Sequence, residues 1–314
     1  MRLASWYFAI FTATVVCGSA LVAADPNGVV SEIGKLQARV LQLENELKVL
    51  RERLEKLEAA RPATTPATSE FKITVIPGGW GSSGLEDIAA VCRSAEQELT
   101  RHMTDRNKDP ITVRHDANQG PMVIYGKGTS GERRVLLSSQ DRRWSQFAFQ
   151  FAHEVCHIQC NYREREKSNL WFEESLCETA SLFVLKQMAE TWKTNPPYSN
   201  WKSYSDSLRK YAEDRNADLE KPADVSLADW FRKNEPEMRQ SAIDRGKTQV
   251  VAAALLPLFE KNPQHWRAIR YLNLGDPQAT LTFPQYLRDW HERVPNEHRS
   301  FVEQVAALFE IAVK

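Results

Sequence analysis

His153-Glu154-Val155-Cys156-His157 is the stretch of this chain best equipped to do chemistry. On an α-helix, residues four apart stack on one face, so both imidazoles point at the same spot. Two neutral imidazole nitrogens suit a zinc ion, and a third protein ligand leaves one position open for water. Glu154 stands one residue from His153 on the helix rim, within reach of that water as a general base. The plainer alternative is a buried helix whose histidines are only hydrogen-bonded.

A third ligand is available on the next helical segment, Trp171 to Ser181. The connector before it, residues 162–169, is rich in Arg and Glu and predicts a solvated turn between two antiparallel helices. Such a hairpin brings a carboxylate of the second helix against the histidines of the first. Glu174 and Glu178 are four apart and share a face, so one can bind metal while the other orients a ligand histidine. Taken alone, Glu173, Glu174 and Glu178 would read as an exposed acidic face.

These residues resemble the gluzincin metallopeptidases, the thermolysin-like and aminopeptidase branch of the zincins. Trp171-x-x-Glu174 looks like the aromatic-x-x-Glu phrase of the aminopeptidases, and Glu174 to Glu178 looks like the corresponding phrase of the thermolysin branch. The resemblance implies that His153, His157 and Glu174 bind Zn2+, that Glu154 is the base, and that Glu178 supports a histidine. It also implies a zincin-like α+β fold: a small mixed sheet plus the active-site helix, then a helical lobe. Sixteen residues separate His157 from Glu174, slightly fewer than usual, which keeps Glu178 as the alternative ligand. Ser175 stands where Gly or Ala normally follows the ligand Glu. Gly120-Pro121-Met122-Val123-Ile124 lacks the Glu with which aminopeptidases grip a substrate amine, which argues against that activity. Cys160 and Arg163 stand where the metzincins carry Gly and His.

The elements that must position these residues are legible. Trp144 to Ala152 contains no Gly or Pro, and Phe147, Phe151, Val155 and Ile158 form an apolar stripe at helical spacing. Strands are predicted over 71–76, 111–113, 122–125 and 134–138, with a helix over 85–103. In the resembled fold, the strand before the metal helix runs along the cleft. Arg134 to Ser139 is therefore either a peptide-binding strand or an ordinary half-buried one. Downstream, Thr248 to Glu260 predicts a buried helix interrupted by Pro257, and Phe301 to Val313 an amphipathic last helix. Trp192 to Trp201 reads as a loop, lining the cleft or packing elsewhere. Candidate donors to a developing oxyanion are Tyr198, Tyr204, Tyr211, His265 and Tyr271.

Five further features set the context. Residues 1–24 read as a signal peptide, with an uncleaved membrane anchor as the alternative. Residues 28–60 read as a coiled coil: Ile33, Leu36, Val40, Leu43, Leu47, Leu50, Leu54 and Leu57 keep an unbroken three-four spacing. In a parallel homodimer through residues 31–60, Arg39 would face Glu44, Glu46 would face Arg51, and Arg53 would face Glu58. A single amphipathic helix packed on its own domain is the alternative. Residues 61–70 form a Pro/Ala/Thr linker, which leaves 71–314 as the catalytic domain, with sheet and metal helix in 71–161 and the helical lobe in 162–314. Cys92, Cys156, Cys160 and Cys177 either form disulfides in an oxidising compartment or simply pack. The balance of 41 basic against 41 acidic residues gives no sign of nucleic-acid binding.

Together these features predict an exported, periplasmic or secreted zinc metallopeptidase acting on peptide or protein substrates and dimerised through its coiled coil. The membrane is a partner only if the N-terminal segment stays uncleaved. A zincin fold kept only for binding and a zinc hydrolase of a non-peptide substrate are the alternatives.

Overall fold

A computed structural model describes residues 34–46, 48, 49, 72–217, 219 and 221–314. The leader and linker readings lie outside the described residues, as do five of the eight heptad positions. Residues 34–46 and 48–49 are helical (α1), and Leu36, Val40 and Leu43 are exposed on that helix. No described helix is long and apolar enough to cross a membrane. The chain divides into an N-terminal unit ending at Thr65 and a second unit, Pro66–Lys314.

The second unit opens with a small mixed sheet interleaved with helices: β1 (Ile73–Val75), α2 (Leu85–Thr100), β2 (Ile111–His115), β3 (Met122–Val123), β4 (Arg133–Leu137) and α3 (Trp144–Gln159). A helical half follows: α4 (Leu170–Trp192), α5 (Ser205–Arg215), α6 (Leu227–Gln240), α7 (Arg245–Lys261), α8 (Phe283–Arg293) and α9 (Asn296–Leu308). The class is α+β, as the order of motifs predicts.

β-branched runs build the sheet, because they fit a pleated, half-buried surface. Strand order is β1-β2-β4-β3, with β1, β2 and β4 parallel and β3 antiparallel to β4. Ile111 and Val113 face the core, and Thr112 between them is half-buried. This topology corrects one expectation. β4 is paired with β2 along 133–137 and with β3 from Arg134 to Leu136, so an added strand has no free edge over those three residues. Among the described residues, β3 is the sheet edge that packs beside α3.

α3 is fixed at both ends of its approach. Gln150 accepts hydrogen bonds from the Ser138 and Ser139 amides at 3.1 and 3.2 Å and donates to the Ser138 hydroxyl at 2.9 Å. That ties the end of β4 to the helix. Trp144 stacks on Trp201, which packs in turn on Trp192. The Trp192–Trp201 segment is thus a packing loop at the start of α3, and none of it lines the cavity described below. The predicted stripe of Phe147, Phe151, Val155 and Ile158 is fully buried. Truncating either phenylalanine to Ala would cost about 3–5 kcal/mol.

α4 is apolar on nearly every side because it lies in the middle of the domain, packed on α2, α3, α5 and α7. The connector before it is not the solvated turn its composition suggests. Asn169 is buried and donates to the Leu281 carbonyl at 2.8 Å, Arg163 donates to the Gly275 carbonyl, and Arg165 is buried against Glu173. α7 matches the predicted helix and carries Pro257 inside it. α9 starts five residues before the predicted Phe301. Pro295 suits the entry to a helix, and Glu310, with φ of 56°, takes the left-handed conformation just past its end.

Candidate active site

Helical spacing places His153 and His157 on one face of α3, with ring centroids 5.0 Å apart. α4 brings Glu174 against both. Its carboxylate oxygens lie 3.1 Å from His153 Nε2 and 3.5 Å from His157 Nε2. A different oxygen faces each imidazole, Oε2 toward His153 and Oε1 toward His157, so the Glu174 carboxylate spans the space between the two rings.

The outer nitrogens also meet carboxylates. His157 Nδ1 lies 2.7 Å from Glu173 Oε1, while His153 Nδ1 lies 3.9 Å from Glu178 Oε2. The first is a hydrogen bond; the second is ion-pair distance only. Glu173 is itself held by Arg165 at 2.6 Å and Asn273 at 2.7 Å. Glu173 is therefore placed to set the orientation of the His157 ring, whereas Glu178 faces His153 through charge alone.

His153, Glu154, Glu174 and Glu178 all line one cavity of about 240 Å3. Gly120 and Pro121, at the approach to β3, form part of its wall, as do Arg215, Arg245 and Thr248 from the helical half. His157 sits deeper, nearly closed off from solvent. The sequence-predicted residues His153, Glu154, His157, Glu174 and Glu178 thus come together. None of Tyr198, Tyr204, Tyr211, His265 and Tyr271 lines the cavity. Tyr211 is linked to the cavity wall through Arg215, whose guanidinium donates to the Tyr211 hydroxyl at 3.2 Å.

Burial pushes the Glu154 carboxyl above the ordinary carboxylate range, and the two imidazoles only partly oppose it. A base tuned upward in this way is better matched to taking a proton near neutral pH. Burial acts in the same direction on Glu174, but His157 and His153 outweigh it and keep the carboxyl well below the usual range. Glu173 is likewise pushed up by burial and brought below its usual value by Arg165, His157 and Asn273. Burial lowers His157, yet Glu174 and Glu173 outweigh it and hold the imidazole well above its normal value. The cause is an excess of negative charge. Four carboxylates, Glu154, Glu173, Glu174 and Glu178, surround two imidazoles, against three guanidiniums: Arg165 beside Glu173, and Arg215 and Arg245 across the cavity from Glu178. Buried anions need compensation, and a divalent cation between the imidazoles and Glu174 would provide it.

Cys177 also brings a possible ligand atom within 4.8 Å of donors on His153 and His157. Glu174 is the third ligand expected from the sequence; its oxygens lie 3.1 and 3.5 Å from the two imidazoles, and it lines the cavity. The Cys177 thiol is fully buried, and burial pushes its pKa up. Cys92, Cys156, Cys160 and Cys177 are all free thiols and all buried, so they pack rather than pair in disulfides.

Comparison with protein families, curated proteins and solved structures gives no match for this chain. The site therefore stands on its own geometry. Sequence reasoning missed Glu173, Arg165 and Asn273. A signal for Glu173 was present: two ligand imidazoles need two acceptors for their outer nitrogens, and Glu178 supplies only one.

Proposed function

We propose that the chain is an exported zinc metallopeptidase with a zincin-like fold of the gluzincin type. The observation that carries this reading is the convergence of the His153 and His157 Nε2 atoms on the Glu174 carboxylate, with Glu154 on the wall of the same cavity. His153, His157 and Glu174 would hold zinc, which supplies Lewis acidity at a carbonyl and lowers the pKa of water. Glu154 takes the proton from water and hands it to the leaving amine. Glu173 holds the His157 imidazole in orientation, and Glu178 faces His153 through charge. An extended peptide would lie beside Gly120 and Pro121 at the approach to β3, where the Val123 amide donates to Glu154. Val123 follows Met122 where an amine-gripping Glu would stand in an aminopeptidase, which argues against that activity.

The same proposal includes export directed by residues 1–24 and a parallel dimer through residues 31–60, each motivated by the sequence pattern. The Pro/Ala/Thr linker would let two catalytic domains move independently of the stalk. The test is zinc content together with turnover of an unstructured protein substrate. One zinc per chain, with hydrolysis lost to a chelator and restored by zinc, supports the reading. A zinc-loaded chain that hydrolyses nothing contradicts it.

A further inference from the structure

We propose that Arg215 and Arg245 form a subsite for a carboxylate of the substrate: a free C-terminal carboxylate or an Asp or Glu side chain. This rests on the reading of the cavity as a peptidase site. Both arginines line the cavity that carries His153, Glu154 and Glu174. Among the described residues, no carboxylate oxygen lies within 4.0 Å of either guanidinium. Arg215 is oriented by other means. Its guanidinium lies 4.7 Å from the centre of the Phe149 ring and 5.4 Å from that of Tyr211, and it donates to the Tyr211 hydroxyl at 3.2 Å. Stacking of this kind fixes the fork while leaving most of its donors unused.

Arg245 opens α7, next to the cap residue Asp244. The Asp244 charge does not serve it, because Lys247 Nζ takes that carboxylate at 2.6 Å. Both arginines thus line the cavity, Arg215 half-buried and Arg245 exposed, with no carboxylate at ion-pair distance.

The plainer role for both would be to offset Glu178, whose charge they feel across the cavity. The charge balance argues for more. Three carboxylates line the wall, Glu154, Glu174 and Glu178, against two guanidiniums. Adding the two positive charges of zinc leaves one positive charge over, which a single substrate carboxylate would balance. Arginine forks bind carboxylates in bidentate fashion, and charge-assisted bonds of this sort are the strong ones.

The experiment uses the full zinc-loaded chain and short acetylated peptides in matched pairs. One pair differs only in ending as free acid or amide; the other differs only in Glu or Gln within the peptide. Binding is measured by calorimetry on Glu154→Gln, which separates affinity from turnover. The expected result is about ten- to a hundredfold tighter binding of the carboxylate form in one pair. Arg215→Gln and Arg245→Gln should each shrink the preference, the double substitution should erase it, and Arg215→Lys should keep part of it. A response in the first pair assigns a terminal carboxylate; a response in the second assigns an acidic side chain. No preference in either pair, including binding of neither form, overturns the proposal. So does a preference that survives the double substitution. Turnover of the same peptides by the chain with Glu154 intact is read separately. If Arg215→Gln lowers kcat equally on acid and amide peptides, the arginine serves the reacting centre and the subsite is refuted. A carboxylate preference without turnover removes the peptidase reading and keeps the subsite; turnover without preference does the reverse.

Discussion

Replacing Glu173 by Gln removes one negative charge from a fully buried position and leaves the side chain's size nearly unchanged. The carboxylate has three partners: His157 Nδ1 at 2.7 Å, Arg165 at 2.6 Å and Asn273 at 2.7 Å. Arg165 is itself only 9% exposed, so the substitution leaves its guanidinium charged, buried and unpaired. Removing one member of a buried pair costs about 3–5 kcal/mol, a large share of the roughly 5–15 kcal/mol that holds a domain folded. The metal should feel a second, smaller effect. Loss of a carboxylate behind a ligand imidazole weakens a metal site by about ten- to a hundredfold. The Gln oxygen can still accept from Nδ1, which places this case near tenfold. Arg165→Met separates the two effects. In the Glu173→Gln background it should restore most of the stability and none of the zinc affinity. Urea unfolding of the metal-free protein and zinc competition with a chromophoric chelator measure both. A stability loss below about 1 kcal/mol with unchanged zinc affinity would refute this account of Glu173.

Three further predictions concern ligand choice, assembly and pH. Glu174→Ala should lose zinc, whereas Glu178→Ala should retain it with about ten- to a hundredfold weaker affinity; the reverse order in metal analysis would move the ligand one helical turn along α4. The chain from Asp25 should be a dimer by light scattering and the chain from Phe71 a monomer that still hydrolyses small peptides; a monomeric long form or a dimeric short one would show that the heptads pack within one chain. Burial raises the Asp109 pKa, but hydrogen bonds from Lys127, Asn107 and Arg133 outweigh it and hold the carboxyl below its usual 3.8. The native state is therefore favoured above that value and loses this contribution as pH falls through the folded pKa. Asp109→Asn should narrow the stability difference between neutral and acid pH, and an unchanged difference in urea midpoints would contradict the sign.

The parts of the site that were legible in the sequence share a cause. His153, Glu154, His157, Glu174 and Glu178 are related by helical spacing within two consecutive helices, and local periodicity fixes which side chains share a face. What was not legible depends on long-range pairing. Arg134 to Ser139 reads as a cleft strand from its place before α3, but β3 pairs outside it and takes the edge. Strand order is a tertiary fact that alternation does not encode. The connector misleads for a similar reason. Its Arg and Glu look solvated until Glu173 offers Arg165 a buried partner and Gly275 offers Arg163 a carbonyl. Arg215 and Arg245 belong to helices far apart in sequence, and no spacing links them to His153.

The central claim is that Glu154 is the base of a metal-dependent hydrolysis, and Glu154→Gln tests it most directly. Gln is nearly isosteric and leaves His153, His157 and Glu174 in place, yet it cannot accept a proton from water. Zinc content and hydrolysis of the same preparation should be measured beside the chain with Glu154 intact. The account predicts one zinc per chain in both and a loss of hydrolysis of at least about a hundredfold in the variant. Near-normal hydrolysis by zinc-loaded Glu154→Gln would contradict it.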